Sequence, residues 1–446
     1  MSQRTSFLLT DLYQLAMMQA YIEAGETDTA VFEFFVRKLP EGRNFLVAAG
    51  LEQALEFLET LSVTGEELDW LRQSGHFGES LLQELEGFRF TGDVHAMPEG
   101  TVFFPDEPIL RITAPLPQAQ YVETRLINIL HFQSLIAAKA ARQVLAAGGR
   151  RMVDFGLRRA HGAEAGLMAA RAAYLAGYDG SANVEAERLF GVPAFGTMAH
   201  SFIQAFDDEA EAFERFARAR PGKLAFVIDT YDTEAAAHKV VALAPRLKAL
   251  GITIGAVRLD SGDLGALAVS VRRILDAGGL SEVGIFASGG LDEQVIARLV
   301  AAGAPIDGFG VGTDLTTSGD APALDCAYKL QEYKGRARRK RSAGKATWPG
   351  RKQVWRSHDM AGRMAGDILS TEDDAQTGTP LIRPVMRGGR RLGPAPTLDE
   401  IRQHAARELQ RLPEALRGLG QAPAYRVRVA DALVDLAAEV DRFTGE

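Results

Sequence analysis

Between residues 224 and 315 the chain switches repeatedly between two hydrophobic periods. Short β-branched and apolar runs stand at "LAFVIDT" (224–230), "ITIGAVRLDSGD" (252–263), "VGIFASGG" (283–290) and "IDGFGVGTDL" (306–315). Between them, apolar residues recur every three or four positions in "TEAAAHKVVALAPRLKALG" (233–251), "LGALAVSVRRILDAGG" (264–279) and "LDEQVIARLVAAGA" (291–304). The first pattern predicts strands and the second helices. Strict βαβ alternation demands a parallel sheet with helices outside it. The same rhythm runs upstream. "RMVDFGLRRA" (151–160) reads as a strand and "AEAGLMAARAAYLAG" (163–177) as a helix. "GSANVEAERLF" (180–190) reads as a short strand and helix, and "VPAFGTMAH" (192–200) as a strand and turn. About seven strand ends without a reversal favour a closed, irregular βα (TIM-like) barrel over a doubly wound sheet.

In either architecture ligands bind at the carboxyl ends of the strands. The residues there are Asp154, Phe155, Arg158 and Arg159, then Asp179, Ser181 and Asn183, then Thr197 and His200. Asp229, Asp232, Arg258, Asp260 and Asp263 follow, then Ser288, Gly289, Gly290, Gly310, Gly312 and Thr313. Any one of them could simply mark a loop. Arginines, aspartates and bare glycines collected on one rim mark a binding mouth. The glycine groups in "ASGG" (287–290) and "GVGT" (310–313) fall on consecutive strand ends. Glycine lets backbone N–H groups approach a phosphate closely. The aspartates could hold Mg²⁺, face ribose hydroxyls, or cap the helices that follow. Asp232 reads equally well as a cap. Asp260 and Asp263 bracket Ser261-Gly262 beside Arg258 and read as more than caps. Arg158 and Arg258 are fork-shaped donors for carboxylate or phosphate, and Phe155 offers a flat apolar face. An aromatic ring carrying a carboxylate would use both.

Composition narrows the classes. A length of 446 residues allows two or three domains. One cysteine, Cys326, excludes an internal disulfide framework and reads as a small core residue in a reducing compartment. The net charge of −8 disfavours nucleic acid as partner. No signal peptide and no apolar run long enough to span a membrane is recognisable, so the expected location is the cytoplasm. The basic run "KGRARRKR" (334–341) reads as a mobile loop near the phosphate site or a solvated surface. The tail "TLDEIRQHAARELQRLPEALRGLG" (397–420) has amphipathic helical spacing and reads as packing on the N-terminal domain. Of eight histidines, His200 in "GVPAFGTMAHSF" (191–202) stands where a helix begins on the rim.

Several longer stretches resemble the nicotinate phosphoribosyltransferase family. They are "LLTDLYQLAMMQAY" (8–21), "FEFFVRKLPEGRNFLVAAGLEQAL" (32–55), "VDFGLRRAHG" (153–162), "GYDGSANVEAERLFGVPAFGTMAHSF" (177–202), "VRLDSGDL" (257–264) and "FGVGTDLTTS" (309–318). The resemblance implies a type II phosphoribosyltransferase fold: an irregular βα barrel carrying the active site (131–324) plus a second α/β domain. That second domain is formed by residues 1–130 and completed by 325–446. It implies the joining of nicotinate to 5-phosphoribosyl 1-diphosphate, giving nicotinate mononucleotide and diphosphate, with coupled ATP hydrolysis and Mg²⁺.

By that resemblance, Phe155 stacks on the pyridine ring, and Tyr13 covers its other face from the neighbouring subunit of a homodimer. Arg258 holds the carboxylate, and Arg158 and Arg159 meet diphosphate or the 5′-phosphate. The turns at Ser288–Gly290 and Gly310–Thr313 cradle phosphate. Ser181 and Thr197 belong to the substrate-binding set. Asp229 and Asp260 face ribose or Mg²⁺. His200 takes a phosphoryl group from ATP, with His161 as the alternative. Two other readings stay open: a sister enzyme using nicotinamide or quinolinate, and a phosphate-binding barrel without catalysis.

Overall fold

The structure, a computed structural model, describes residues 5–222 and 224–443. Two units divide these residues: one runs up to Leu135 and resumes at Ala323, and the other is Ile136–Pro322. No helix among the described residues is long and apolar enough to cross a membrane.

The first unit is built on antiparallel pairing. Its larger sheet has seven strands, with Thr29–Val36 between Cys326–Tyr333 and Pro108–Pro115. Seven of the eight residues of Thr29–Val36 are buried, so both faces of this central strand are covered. A four-stranded sheet contains Lys352–His358 and Met364–Thr371. It carries a buried ion network: Arg356 donates to Asp367 Oδ2 (2.6 Å) and Glu408 Oε2 (3.0 Å). Glu408 lies on the helix Leu398–Arg411, which opens with a capping box between Thr397 and Glu400. The amphipathic tail thus contributes this helix to the first unit. Five of the eight residues of the basic run are exposed, in keeping with a solvated surface, and the run is also held at several points. It forms the strand Arg336–Ala337, and Lys334 pairs with Glu26 (2.7 Å) and Asp28 (3.3 Å). Arg339 reaches Asp441 at 3.5 Å. Acidic residues distant in sequence anchor a segment that looks like a free cationic loop when read alone.

The second unit is the parallel α/β body. The helix α1 (Glu123–Ala147) contributes its C-terminal half to it. The strands are β1 (Arg151–Asp154), β2 (Gly180–Ser181), β3 (Leu224–Val227), β4 (Ile254–Leu259), β5 (Gly284–Ser288) and β6 (Gly308–Val311). They pair in the order β2-β1-β6-β5-β4-β3, every pair parallel. Helices α2 (Ala163–Leu175), α3 (Val184–Phe190), α4 (His200–Gln204), α5 (Glu209–Ala219), α6 (Thr233–Ala249), α7 (Leu264–Ala277), α8 (Glu293–Ala301) and α9 (Thr313–Thr317) connect and cover the strands. On α7 the buried residues are Ala268, Val271 and Leu275, the three- and four-residue spacing of one helical face. All four residues of β6 are buried, as a strand covered on both sides requires.

The parallel sheet of this unit pairs fewer strands than the seven strand ends read from the sequence. Among the described residues six strands pair, and the sheet ends at β2 and β3. Residues 192–200 make a single parallel bridge, Ser181 to Ala194, instead of a strand. Pro193 lacks a ladder N–H, which removes one bond a strand would need there. Thr197 Oγ1 donates to the carbonyl of Ala225 on β3, so the segment touches both sheet edges without joining either as a ladder. The strand expected over 151–160 likewise stops at Asp154. There Asp154 Oδ1 accepts the N–H of Gly156 (2.7 Å) and the chain enters a 3₁₀ turn, Leu157–Arg159.

Candidate active site

The turn that ends β1 places the first element of the site. Asp154 is buried and accepts Ser181 Oγ (2.6 Å) as well as Gly156 N–H. Burial pushes its carboxyl pKa up, with the two hydrogen bonds opposing. The next backbone N–H, of Phe155, donates to Val311 O of β6 (2.8 Å). The Phe155 ring then lies against Gly310. A Cβ at that position would stand 2.3 Å from Phe155 Cε2, so only glycine leaves the ring its place.

Arg258, at the end of β4, has its guanidinium carbon 5.1 Å from the Phe155 ring centroid. Its Nε donates to Ser288 Oγ (2.6 Å) and its Nη2 to Asp260 Oδ1 (2.7 Å). Ser288 Oγ in turn donates to Asp260 Oδ1 (2.6 Å). Burial pushes the Asp260 carboxyl up. The Ser288 hydrogen bond and the Arg258 charge outweigh it and hold the group below the usual carboxylate range. The same turn depends on Gly289, whose φ is +88° and whose added Cβ would meet Asp260 O at 1.9 Å. Gly289→Ala is therefore expected to destabilise the fold by at least about 2 kcal/mol, from left-handed strain plus a backbone clash. Denaturant titration against the parent chain checks this.

His200 opens α4. Its Nδ1 lies 3.0 Å from Thr230 Oγ1. Its Nε2 stands 3.9 Å from Asp229 Oδ1 and 3.8 Å from Asp260 Oδ2. Asp229 Oδ2 accepts Ser261 Oγ (2.7 Å) and Asp260 N–H (3.0 Å). Its Oδ1 is buried with no hydrogen-bond partner among the described residues. Two carboxylate oxygens thus converge beside a half-exposed imidazole. Thr230 and Ser261 complete this arrangement and escape the sequence reading. Each directly follows a named aspartate, and that adjacency is the signal that could have found them.

The remaining sequence candidates divide. Gly290 and Gly312 sit in the turns after β5 and β6, with Thr313 exposed at the start of α9. Arg158 and Arg159 are exposed on the 3₁₀ turn, and His161 is exposed just beyond it. Ser181 and Thr197 turn inward: Ser181 is buried against Asp154, and the Thr197 hydroxyl is bound to Ala225. Asp232 caps α6 by accepting Ala235 N–H (2.7 Å), and Asp263 caps α7 by accepting Ala266 N–H (3.1 Å). The expectation that Asp263 is more than a cap is not what the geometry gives. Tyr13 lies in the first unit, exposed, with its hydroxyl 3.4 Å from Glu123 Oε2. Among the described residues no group of three or more His, Cys, Asp or Glu side chains could hold a metal ion alone.

A parallel α/β body with glycine turns, paired carboxylates, a histidine and an arginine beside an aromatic ring on its strand ends is an enzyme-type ligand site. Comparison with known proteins says which. Models of the nicotinate phosphoribosyltransferase N-terminal domain, family and C-terminal domain match residues 8–131, 150–338 and 374–437. The chain is 50% identical to the nicotinate phosphoribosyltransferase pncB2 of Mycobacterium tuberculosis, over 97% of this chain and 93% of that one. It is 39% identical to the nicotinate phosphoribosyltransferase of Bacillus subtilis, over 82% and 76%. The crystal structure of human nicotinic acid phosphoribosyltransferase superposes with a TM-score of 0.86 at 29% identity, covering 97% of this chain and all of that one (100%). That of nicotinate-nucleotide pyrophosphorylase from Pyrococcus furiosus superposes with a TM-score of 0.74 at 28% identity, over 91% and 95%. The chain belongs to the nicotinate phosphoribosyltransferase family and is an enzyme.

Proposed function

We propose that this enzyme joins nicotinate to 5-phosphoribosyl 1-diphosphate, and that ATP hydrolysis is coupled to the transfer through His200. The transfer, a step of NAD salvage, is the reaction of the family to which the chain belongs. The observation that carries the residue assignment is the convergence of Phe155, Arg258, Ser288, Asp260, Asp229 and His200 on adjoining strand ends. Phe155 would stack on the pyridine ring and Arg258 would meet its carboxylate. The turns at Ser288–Gly290 and Gly310–Thr313 would hold the ribose 5′-phosphate through backbone N–H groups. Arg158 and Arg159 would neutralise departing diphosphate or the 5′-phosphate. The transition state at the ribosyl carbon is oxocarbenium-like, so positioning and charge stabilisation suffice and no covalent intermediate with the ribose is needed.

Mg²⁺ fits the donors. Asp229 Oδ1 is buried without a hydrogen-bond partner, and Asp260 Oδ2 faces the same space. One or two carboxylates plus substrate phosphate oxygens are a usual Mg²⁺ set. Bound there, the ion would stabilise charge developing on diphosphate. The body holding the site is proposed to be the irregular βα barrel of type II phosphoribosyltransferases, with residues 192–200 spanning the gap between β2 and β3. A homodimer with Tyr13 contributed across the interface agrees with the exposure of Leu9, Leu12 and Tyr13. The proposed location is the cytoplasm.

One assay tests the reading: product formation from nicotinate and from nicotinamide, each with and without ATP and with Mg²⁺ chelated. The expected outcome is product from nicotinate only, increased by ATP and abolished by chelation. Equal use of nicotinamide, or indifference to ATP, would remove the corresponding part of the proposal.

A further inference from the structure

Behind the two glycine turns lies a buried cation that the reaction does not use directly. Lys139, on α1, is 1% exposed. Its Nζ stands 2.6 Å from Glu293 Oε2, 2.8 Å from Asp314 Oδ2 and 3.0 Å from Asp320 Oδ1. Glu293 begins α8, three residues after Gly290. Asp314 is the second residue of α9, two after Gly312. Each of these two carboxylates has a second holder on the same face of α1. Arg142 Nε donates to Glu293 Oε1 (3.1 Å), and Gln143 Nε2 donates to Asp314 Oδ2 (2.9 Å). Residues 139, 142 and 143 have the i, i+3, i+4 spacing that puts side chains on one helical stripe. A single rigid helix therefore grips the first turn of both helices that leave the two phosphate turns.

We propose that Lys139 is a positioning residue that fixes the spacing of the Ser288–Gly290 and Gly310–Thr313 turns for the ribose phosphate. The proposal rests on the reading of those turns as the phosphate cradle. Without Lys139, the carboxylates of Glu293, Asp314 and Asp320 face one another with Arg142 still on Glu293, and their repulsion splays α8 from α9. Backbone N–H groups that must reach one phosphate then no longer converge. The nicotinate end rests on Ser288 and Gly310, which lie within the hydrogen-bonded strands β5 and β6 rather than on the helix starts that move, and draws on neither carboxylate directly.

The test is a split in Michaelis constants. Lys139→Met keeps the length and apolar bulk of the side chain and removes its charge. It is expected to raise the KM for 5-phosphoribosyl 1-diphosphate about tenfold, the scale of a small misplacement in a binding site, and to leave that for nicotinate within about twofold. Asp314→Asn, which weakens one arm and leaves the Lys139–Glu293 pair, is expected to shift the same constant in the same direction by less. It decides the matter if Lys139→Met does not fold. An unchanged phosphoribosyl constant, or equal changes in both constants, overturns the proposal. Thr313→Asp separates this outcome from failure of the underlying reading, because it puts a negative charge on the exposed turn itself. If Thr313→Asp raises the phosphoribosyl constant and the Lys139 and Asp314 variants do not, the brace is wrong and the cradle stands. If none does, the cradle is elsewhere.

Discussion

Replacing His200 with alanine is expected to lower nicotinate-dependent ATP hydrolysis by at least about 10³-fold, the scale seen when an enzymatic nucleophile is deleted. Slow phosphoribosyl transfer without ATP should persist. The imidazole has the geometry for phosphoryl transfer. Nδ1 is engaged by Thr230 at 3.0 Å, while Nε2 faces the open side near the Asp229 and Asp260 carboxylates. The ring is 39% exposed, enough for a terminal phosphate to reach it, and neutral imidazole is a nucleophile near pH 7. In the proposed reading, transfer would rely on Arg258, Asp260 and the glycine turns, and Arg258 and Asp260 are held by Ser288 and by each other rather than by His200. Labelling with γ-phosphate-tagged ATP checks the assignment separately from turnover. The parent chain should acquire an acid-labile, base-stable phosphoryl group, and His200→Ala should not. Unchanged ATP coupling in the variant would transfer the role to another residue, His161 first.

What the sequence makes legible here has a physical pattern. β3, β4, β5 and β6 fall inside the runs expected for them, because strands of a helix-covered parallel sheet are mostly apolar and the helices between them must be amphipathic. Asp229, Arg258 and Asp260, at the ends of two of those runs, gather at the site. Legibility fails where a side chain and the backbone compete. At 151–160 the apolar pattern continues past Asp154, but the Asp154 carboxylate captures Gly156 N–H and turns the chain. At 192–200 the residues suit a strand, yet Pro193 and the lone bridge at Ala194 leave the sheet's gap spanned by isolated contacts. Asp229 and Asp263 look alike in sequence, each near a strand end. One holds the loop of the next strand through Ser261 and Asp260 N–H, and the other caps its own helix. Partners distant in sequence decide such cases. The basic run is the same lesson, since Glu26, Asp28 and Asp441 are invisible to a local reading.

Replacing Arg258 with alanine should raise the KM for nicotinate and collapse the preference for nicotinate over nicotinamide. A hydrogen bond to a charged group contributes roughly 1.5–3 kcal/mol, which corresponds to about 10- to 150-fold in KM. The guanidinium is pre-positioned for this. Nε is fixed by Ser288 and Nη2 by Asp260, leaving Nη1 without a partner among the described residues, beside the Phe155 ring. A carboxylate on a ring stacked at Phe155 would find a donor whose rotamer is already set, so little side-chain entropy is lost on binding. The substitution also strips Asp260 of its neighbouring cation, so kcat should fall as well. Arg258→Lys separates the two effects. It keeps a positive charge near Asp260 but loses the planar fork, so kcat should recover more than the nicotinate constant does. A nicotinate constant undisturbed in both variants would mean that the carboxylate is held elsewhere. Equal loss for nicotinate and nicotinamide would reduce Arg258 to a support for Asp260.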